Sequence, residues 1–325
     1  MRNRKPPFEI TTSILNKVAE IAELVGRVSA LQGLSASPVL RRANRIRTIY
    51  SSLAIEQNTL SLEQVAAVLD GKRILAPPKD IAEVENAYAI YETMESLDPY
   101  SVDDLLRAHG VMTRGLVEES GCFRSGPVGV VDREGHILHF GTLPDYIPGL
   151  VAELLDWVQD SDFHMLIKSC VFHYELELIH PFADGNGRIG RLWHTLLLTQ
   201  WEPAFAWLPV ESIIHDRQEE YYQAINQSNR EASSTAFLAF MLSAIEEALL
   251  EAVQTESTGN MRVEARRWEQ IARFLKNNGT ISNADVRQMF GVSAATANRV
   301  LSKLTAEGKI RKIRIGKSWG YQWEN

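Results

Sequence analysis

Cysteine is nearly absent: Cys122 and Cys170 are the only two in 325 residues. Two thiols cannot build a disulfide framework, so a small secreted scaffold is excluded and a reducing, cytoplasmic location is expected. No apolar run approaches the ~20 residues that a membrane helix requires, so no membrane partner is expected. Met1 to Pro7 carries charge with no apolar segment behind it and does not read as a secretion signal. Internal repeats and low-complexity tracts are missing too, which excludes a repeat architecture.

What is present fits a globular protein. At 45% hydrophobic and 23% charged, the chain can bury a large core and hold more than one domain. The net charge of −7 hides an uneven split. From Met261 to Asn325 there are 13 Lys and Arg against 5 Asp and Glu, while the rest has 21 against 36. An acidic body and a basic C-terminal module with different partners are expected.

Helical periodicity dominates, and the fold class is mostly α. Ile46, Ile49, Leu53 and Ala54 form a stripe within 40–57. Ser61 to Gln64 reads as a capping box, and Gly71 closes the helix that follows. Further patterns cover Asp80–Leu97, Ser101–Arg114, Tyr146–Asp160, Met165–Leu178, Ile189–Thr199, His215–Ser228 and Ala236–Ala252. One segment breaks the pattern: Val128–Val131 and His136–Phe140 read as two short strands around a Gly-ended turn, a small β-hairpin. Gln254 to Asn260 is small and polar, as in a linker. Three helical patterns follow, Val263–Asn277, Asn283–Phe290 and Ala294–Glu307, then two β-rich runs, Lys309–Ile315 and Trp319–Trp323. That order is expected of a winged helix-turn-helix.

The densest chemistry lies in His180-Pro-Phe-Ala-Asp-Gly-Asn-Gly-Arg-Ile-Gly-Arg191. With a helix starting near Arg188, Gly185 and Gly187 let the chain turn so that backbone N–H groups and the helix N-terminus face an anion. Arg188 and Arg191, three apart, share a helix face and can grip phosphate oxygens bidentately. Asp184 is a hard oxygen ligand suited to Mg²⁺, and an imidazole such as His180 can accept a hydroxyl proton near neutrality. Together these groups point to nucleotidyl or phosphoryl transfer to a hydroxyl. Phe182 reads as an apolar anchor for the loop.

The stretch from His180 to Arg191 resembles the Fic family signature, His-x-Phe-x-Asp/Glu-Gly-Asn-Gly-Arg-x-x-Arg, at every specified position. The similarity extends through Gly121–Arg124 and the hairpin to Ile147–Gly149, and so over most of residues 40–250. The resemblance implies a helical protein that transfers AMP from ATP to a Ser, Thr or Tyr hydroxyl of a target protein. It implies His180 as the base and Asp184 as the Mg²⁺ ligand. Asn186, with the loop amides of Gly185 and Gly187, would cradle the α-phosphate, and Arg188 and Arg191 would take the β- and γ-phosphates. Related Doc-type kinases carry Lys where Gly187 stands. The hairpin, through Val130, Val131, Ile137, Leu138 and His139, would act as a flap aligning the target by strand-like contacts. Tyr221, Tyr222 and Asn226 fall where relatives shape the adenine pocket. His136 and His139 have no further ligands around them to suggest zinc.

Ser52 and Glu56 lie four apart on one helix face. Ser52-Leu-Ala-Ile-Glu56-Gln-Asn58 resembles the family's inhibitory motif, Ser/Thr-x-x-x-Glu-Gly/Asn, with Gln57 departing from the expected Gly or Asn. The resemblance implies that Glu56 pairs with Arg191 and denies it to the triphosphate. In some relatives the same Glu serves AMP removal, so addition, removal or both stay open. The implied organisation is 1–100 N-terminal helices with the inhibitory helix at about 40–57, 101–253 catalytic core, 254–262 linker and 263–325 winged helix.

The basic module places Asn298, Arg299 and Lys303 on its second helix and Arg311, Lys312, Arg314 and Lys317 on its wing. DNA and protein partners both remain open, as does a homodimer. A competing function is a nucleotide-sensing, DNA-binding regulator; His180 discriminates, because a sensor needs phosphate ligands but no base. A P-loop is excluded, because Arg311 stands where the leading glycine before Gly316-Lys317-Ser318 would be.

Overall fold

The computed structural model describes residues 5–31, 37–131, 137–315 and 318–324. They form two compact units, Met1–Val253 and Gln254–Asn325. None of their helices is long and apolar enough to cross a membrane.

The first unit is built around α7 (Met165–Ile179), whose residues are buried on almost every side. A helix apolar all round belongs inside a core. Helix α8 (Asn186–Thr199) packs along it, and the turn between them is the 180–185 loop. Around this pair stand α1 (Thr12–Leu31), α2 (Pro38–Ile55), α3 (Leu62–Leu69), α4 (Pro78–Thr93), α5 (Val102–Met112), α6 (Ile147–Asp160), α9 (Val210–Asp216) and α10 (Gln218–Glu231). Helix α1 is additional to the expected set, although Ile14, Ile21, Val25 and Val28 keep helical spacing and are buried. The expected helix over 215–228 is divided at Arg217, which caps both α9 and α10.

Local chemistry explains the ends. Ser61 and Gln64 complete the capping box of α3, and Gly71 takes φ +70° beyond it. Helix α2 starts at Ser37, whose hydroxyl accepts from Leu40 N, and ends at Glu56. The residue after it, Gln57, adopts φ +68°, the left-handed position that glycine fills at least cost.

Strands β1 (Gly129–Val131) and β2 (Ile137–Phe140) pair antiparallel, with a register irregularity between Val130 and Val131. No third strand joins them among the described residues, so each keeps an open backbone edge. Residues 132–136, and with them His136, lie outside the described residues, as do the side chains of the other flap residues named above.

Helix α11 (Thr235–Asn278) runs through 254–262 without a break, so the stretch read as a polar linker is helical backbone. Elongating a formed helix is far easier than nucleating one, and modest helix formers suffice there. Beyond it, α12 (Asn283–Phe290) carries a Ser282–Asp285 capping box and ends at Gly291, φ +63°. Helix α13 (Ala294–Ala306) is capped by Ser293. Strands β3 (Ile310–Ile315) and β4 (Ser318–Trp323) close the wing in regular antiparallel register. Ile271, Leu275, Val286, Leu301 and Ile310 form this unit's core.

Candidate active site

The 180–191 stretch begins with His180 at the C-cap of α7, in the left-handed region (φ 51°, ψ 62°). A non-glycine residue there needs a surrounding structure that fixes it. Arg124 supplies much of that. It is 3% exposed, its Nε donates to His180 O over 2.7 Å, and its backbone N donates to Pro181 O. Its remaining guanidinium nitrogens donate to Gly126 O and Thr142 O, which ties the base of the hairpin to the loop.

Asn186 closes the loop from inside. Its side chain accepts from Phe182 N and donates to Phe182 O, both over 2.9 Å. Both functions of the amide thus serve the turn itself, while Phe182 is fully buried beneath it, as an anchor should be. Gly185, the N-cap of α8, takes φ +87°. A Cβ there would also meet the Thr113 side chain at 3.0 Å.

Sequence reading missed His109, which holds the other side of the loop. Gly121 N donates to its Nδ1 over 3.0 Å, so Nε2 carries the proton and donates to Asp184 O over 3.0 Å. Its ring stacks on Phe182 with centroids 3.8 Å apart. Burial lowers its pKa and keeps it neutral, which suits this one-donor, one-acceptor role.

Asp184 keeps its side chain 47% exposed. Oδ1 accepts from Gly185 N at 2.6 Å and from Arg188 Nη2 at 2.8 Å, and no described residue donates to Oδ2. Burial opposes its charge, but Arg188 and the Gly185 N–H outweigh it and hold the carboxyl below the ordinary range. The half-exposed carboxylate with a spare oxygen fits a hard cation bound mainly through phosphate and water.

Arg188 is nearly enclosed, with Nη1 3.4 Å from Glu83 Oε1 and its Nε without a hydrogen-bond partner among the described residues. Glu83 was not legible as a site residue; it comes from α4, 105 positions away. Its other oxygen accepts from Asn58 Nδ2 at 2.8 Å, just past the end of α2.

Arg191 is 1% exposed and is held by α2 and its cap through Nε and Nη2. Its Nε donates to Ser52 Oγ at 3.0 Å, and its Nη2 donates to Ser52 O at 3.0 Å and to Glu56 Oε1 at 2.7 Å. Burial disfavours the charge, yet the Glu56 carboxylate and its neighbours raise the pKa above the usual arginine value. Glu177 on α7 faces the same group with a buried, unpartnered Oε1; burial and the nearby Glu56 push its pKa up to about 7 against the pull of Arg191. The carboxylate of Glu56 reaches this point only because residue 187 has no Cβ.

The three residues expected around adenine are placed differently from one another. Tyr221 is enclosed, its hydroxyl 3.2 Å from His173 Nε2 and its ring against Phe237 and Phe240. Tyr222 is 39% exposed, with its hydroxyl 3.5 Å from Ile55 O. Asn226 lies one turn further along α10, half-buried. Gln218, also missed, donates to Ile55 O at 3.0 Å and tethers the end of α2 to α10.

Comparisons agree with this geometry. Residues 99–198 match the Fic/DOC family, and residues 267–317 match a DeoR-like helix-turn-helix domain. The chain is 30% identical over 213 residues to "Protein adenylyltransferase fic-1" of Caenorhabditis elegans, covering 60% of this chain and 39% of that protein. It is 29% identical over 265 residues to "Protein adenylyltransferase Fic" of Drosophila willistoni, 77% of this chain and 50% of that one. The chain thus spans half or less of the length of these curated relatives. A crystal structure of a Fic family protein from Desulfovibrio desulfuricans G20 superposes with a TM-score of 0.76 at 44% identity, covering 98% of each chain. The motif, its helical setting and a likeness that runs the full length of a solved relative make this chain a member of the Fic family.

Proposed function

We propose that the chain is a protein adenylyltransferase that moves AMP from ATP to a Ser, Thr or Tyr hydroxyl of a target protein, and that α2 restrains it. One arrangement carries the reading: the N-terminus of α8, with Arg188 and Arg191 on it, opens directly after a left-handed His180 at the end of α7. The N–H groups of the first turn and the α8 dipole favour the polyphosphate. Arg188 and Arg191 neutralise its charge once their carboxylate partners give way. His180 takes the proton of the incoming hydroxyl, the hydroxyl oxygen attacks the α-phosphorus, and the bond to the β-phosphate bridging oxygen breaks to release pyrophosphate. Asp184 would hold Mg²⁺, which would offset phosphate charge. The open edges of β1 and β2 suit an extended target segment, which would add to one of them by main-chain pairing.

With Arg191 engaged by Ser52 and Glu56, the group that the γ-phosphate needs is already spent. A docked α2 therefore opposes the productive pose of ATP. The basic second unit supports a DNA-binding role: Arg299, Arg311, Lys312 and Arg314 are exposed, whereas Lys303 is paired with Glu264. We place the protein in the cytoplasm, where ATP and reduced cysteines are both expected.

The test is transfer of label from α-³²P-ATP with magnesium. Glu56→Gly raises labelling of the protein itself or of a lysate target. His180→Ala in that background abolishes labelling while fluorescent ATP still binds. Labelling that survives His180→Ala overturns the assignment.

A further inference from the structure

Helix α2 carries a basic cluster at the end opposite Glu56. Arg41, Arg42 and Arg45 line a cleft of about 220 Å³ whose apolar side includes Ile46, Leu69 and Trp207. For scale, an apolar cavity of about 150 Å³ holds benzene. Arg42 is paired with Asp70, and half-buried Arg41 lies with its guanidinium 5.1 Å from the Trp207 ring centre.

Arg45 is the unusual member. It is 4% exposed, with its guanidinium 4.7 Å from the Trp207 ring centre and 5.2 Å from that of Tyr91. These rings meet its charge but not its N–H donors. Its Nε makes no hydrogen bond among the described residues; its nearest acceptor is Glu92 Oε1, a loose ion pair at 3.6 Å from a cleft-lining side chain that is 45% exposed and can turn to solvent. Burying a cation with an N–H donor unspent costs free energy that an acceptor in the cleft recovers. Asn44, beside it, donates to Trp207 O at 2.9 Å, so the wall and the helix that form the cleft are fixed to each other.

We infer that this cleft binds a small organic anion. A carboxylate or phosphate group would be held by Arg45 and Arg41, and a flat apolar body would lie against Ile46, Leu69 and Trp207. No residue of 180–191 lines it. The cleft requires α2 in its docked position, so a bound anion stabilises that position by linkage. On the reading that α2 restrains the enzyme, occupancy tightens the restraint; the site itself does not depend on that reading.

Calorimetry on the full chain with phenyl phosphate and with benzoate tests the site, with benzyl alcohol as the uncharged control. At least one anion binds at a single site with Kd below about 1 mM. The affinity falls about tenfold or more in Arg45→Gln and severalfold in Arg41→Gln, whose half-buried side chain makes no ion pair among the described residues and is the safer substitution for folding. Tighter phenyl phosphate marks a phosphoryl ligand, and tighter benzoate marks a carboxylate. The inference is overturned if neither anion binds, if benzyl alcohol binds equally well, or if both variants keep wild-type affinity, which would place the anion elsewhere, including the 180–191 loop. Binding of the probes in Glu56→Gly is expected to persist, and this separates the cleft from any failure of the restraint.

Discussion

Glu56 and Gly187 share one space: the carboxylate oxygen that pairs with Arg191 lies where a side chain on residue 187 would begin. The same glycine, in the first turn of α8, thus leaves the space in which the Glu56 carboxylate meets Arg191. In Gly187→Ala, a Cβ would displace Glu56 from Arg191 and leave that buried cation short of a partner. A loss of about 1–3 kcal/mol follows, the usual cost of breaking a charged hydrogen bond or overpacking. In a Glu56→Ala background the clash with the carboxylate is gone and only the 3.0 Å approach to the Arg191 Nη1 remains, so Gly187→Ala costs markedly less there. Urea unfolding of the four proteins measures the coupling, and additive effects would separate the two positions.

His109 bridges two backbone groups that are far apart in sequence, Gly121 N and Asp184 O. His109→Phe keeps the stack on Phe182 but strands one donor and one acceptor. Stability is expected to drop by about 2–4 kcal/mol. Because Asp184 O is no longer held, fluorescent ATP binding in the Glu56→Gly background should weaken along with it. Unchanged binding with reduced stability would restrict His109 to the fold.

Gln57 occupies a left-handed position, φ +68°, immediately after the Glu56 cap. Gln57→Gly relieves that strain at the cost of a more flexible unfolded chain. A net gain of about 0.5–1 kcal/mol in stability is expected, read from the denaturation midpoint. The departure from the family's Gly/Asn at this position therefore costs energy without displacing Glu56, whose bond to Arg191 is 2.7 Å.

These contacts show what one sequence discloses. The 180–191 stretch is legible because its groups are contiguous and the turn needs glycine where it stands. Ser52 and Glu56 are legible through i, i+4 spacing, and the winged module through caps and turns at Ser282, Gly291 and Ser293. His109, Glu83 and Gln218 carry no local mark: each meets the site through tertiary packing, across 75 to 163 positions. The helical 254–262 stretch escaped for the converse reason, since weak local propensity yields to a helix already formed on both flanks.

Glu177 supplies a pH dependence with a definite sign. Its pKa stands at about 7 in the folded protein, above the 4.5 of an ordinary glutamate, chiefly through burial and then the charge of Glu56. Below pH 4.5 the carboxyl is protonated in both states and its contribution to stability is complete. Between pH 4.5 and 7 the unfolded chain binds fewer protons than the folded one, so this contribution declines as pH rises. His109, His173 and His194, held neutral by burial with His194 at about 4, act oppositely: their contribution is present above pH 6.5 and is lost as pH falls. Arg191, whose pKa is raised by its carboxylate neighbours, stays charged across the window. Glu177→Gln removes only the carboxyl's share, so the difference in unfolding free energy between wild type and variant should shift in favour of the variant as pH rises from 4.5 to 7. The size is expected to reach a few kcal/mol at most. Parallel urea titrations at pH 5, 6 and 7.5 measure it, and a difference that stays flat would mean that Glu177 ionises normally in the folded protein.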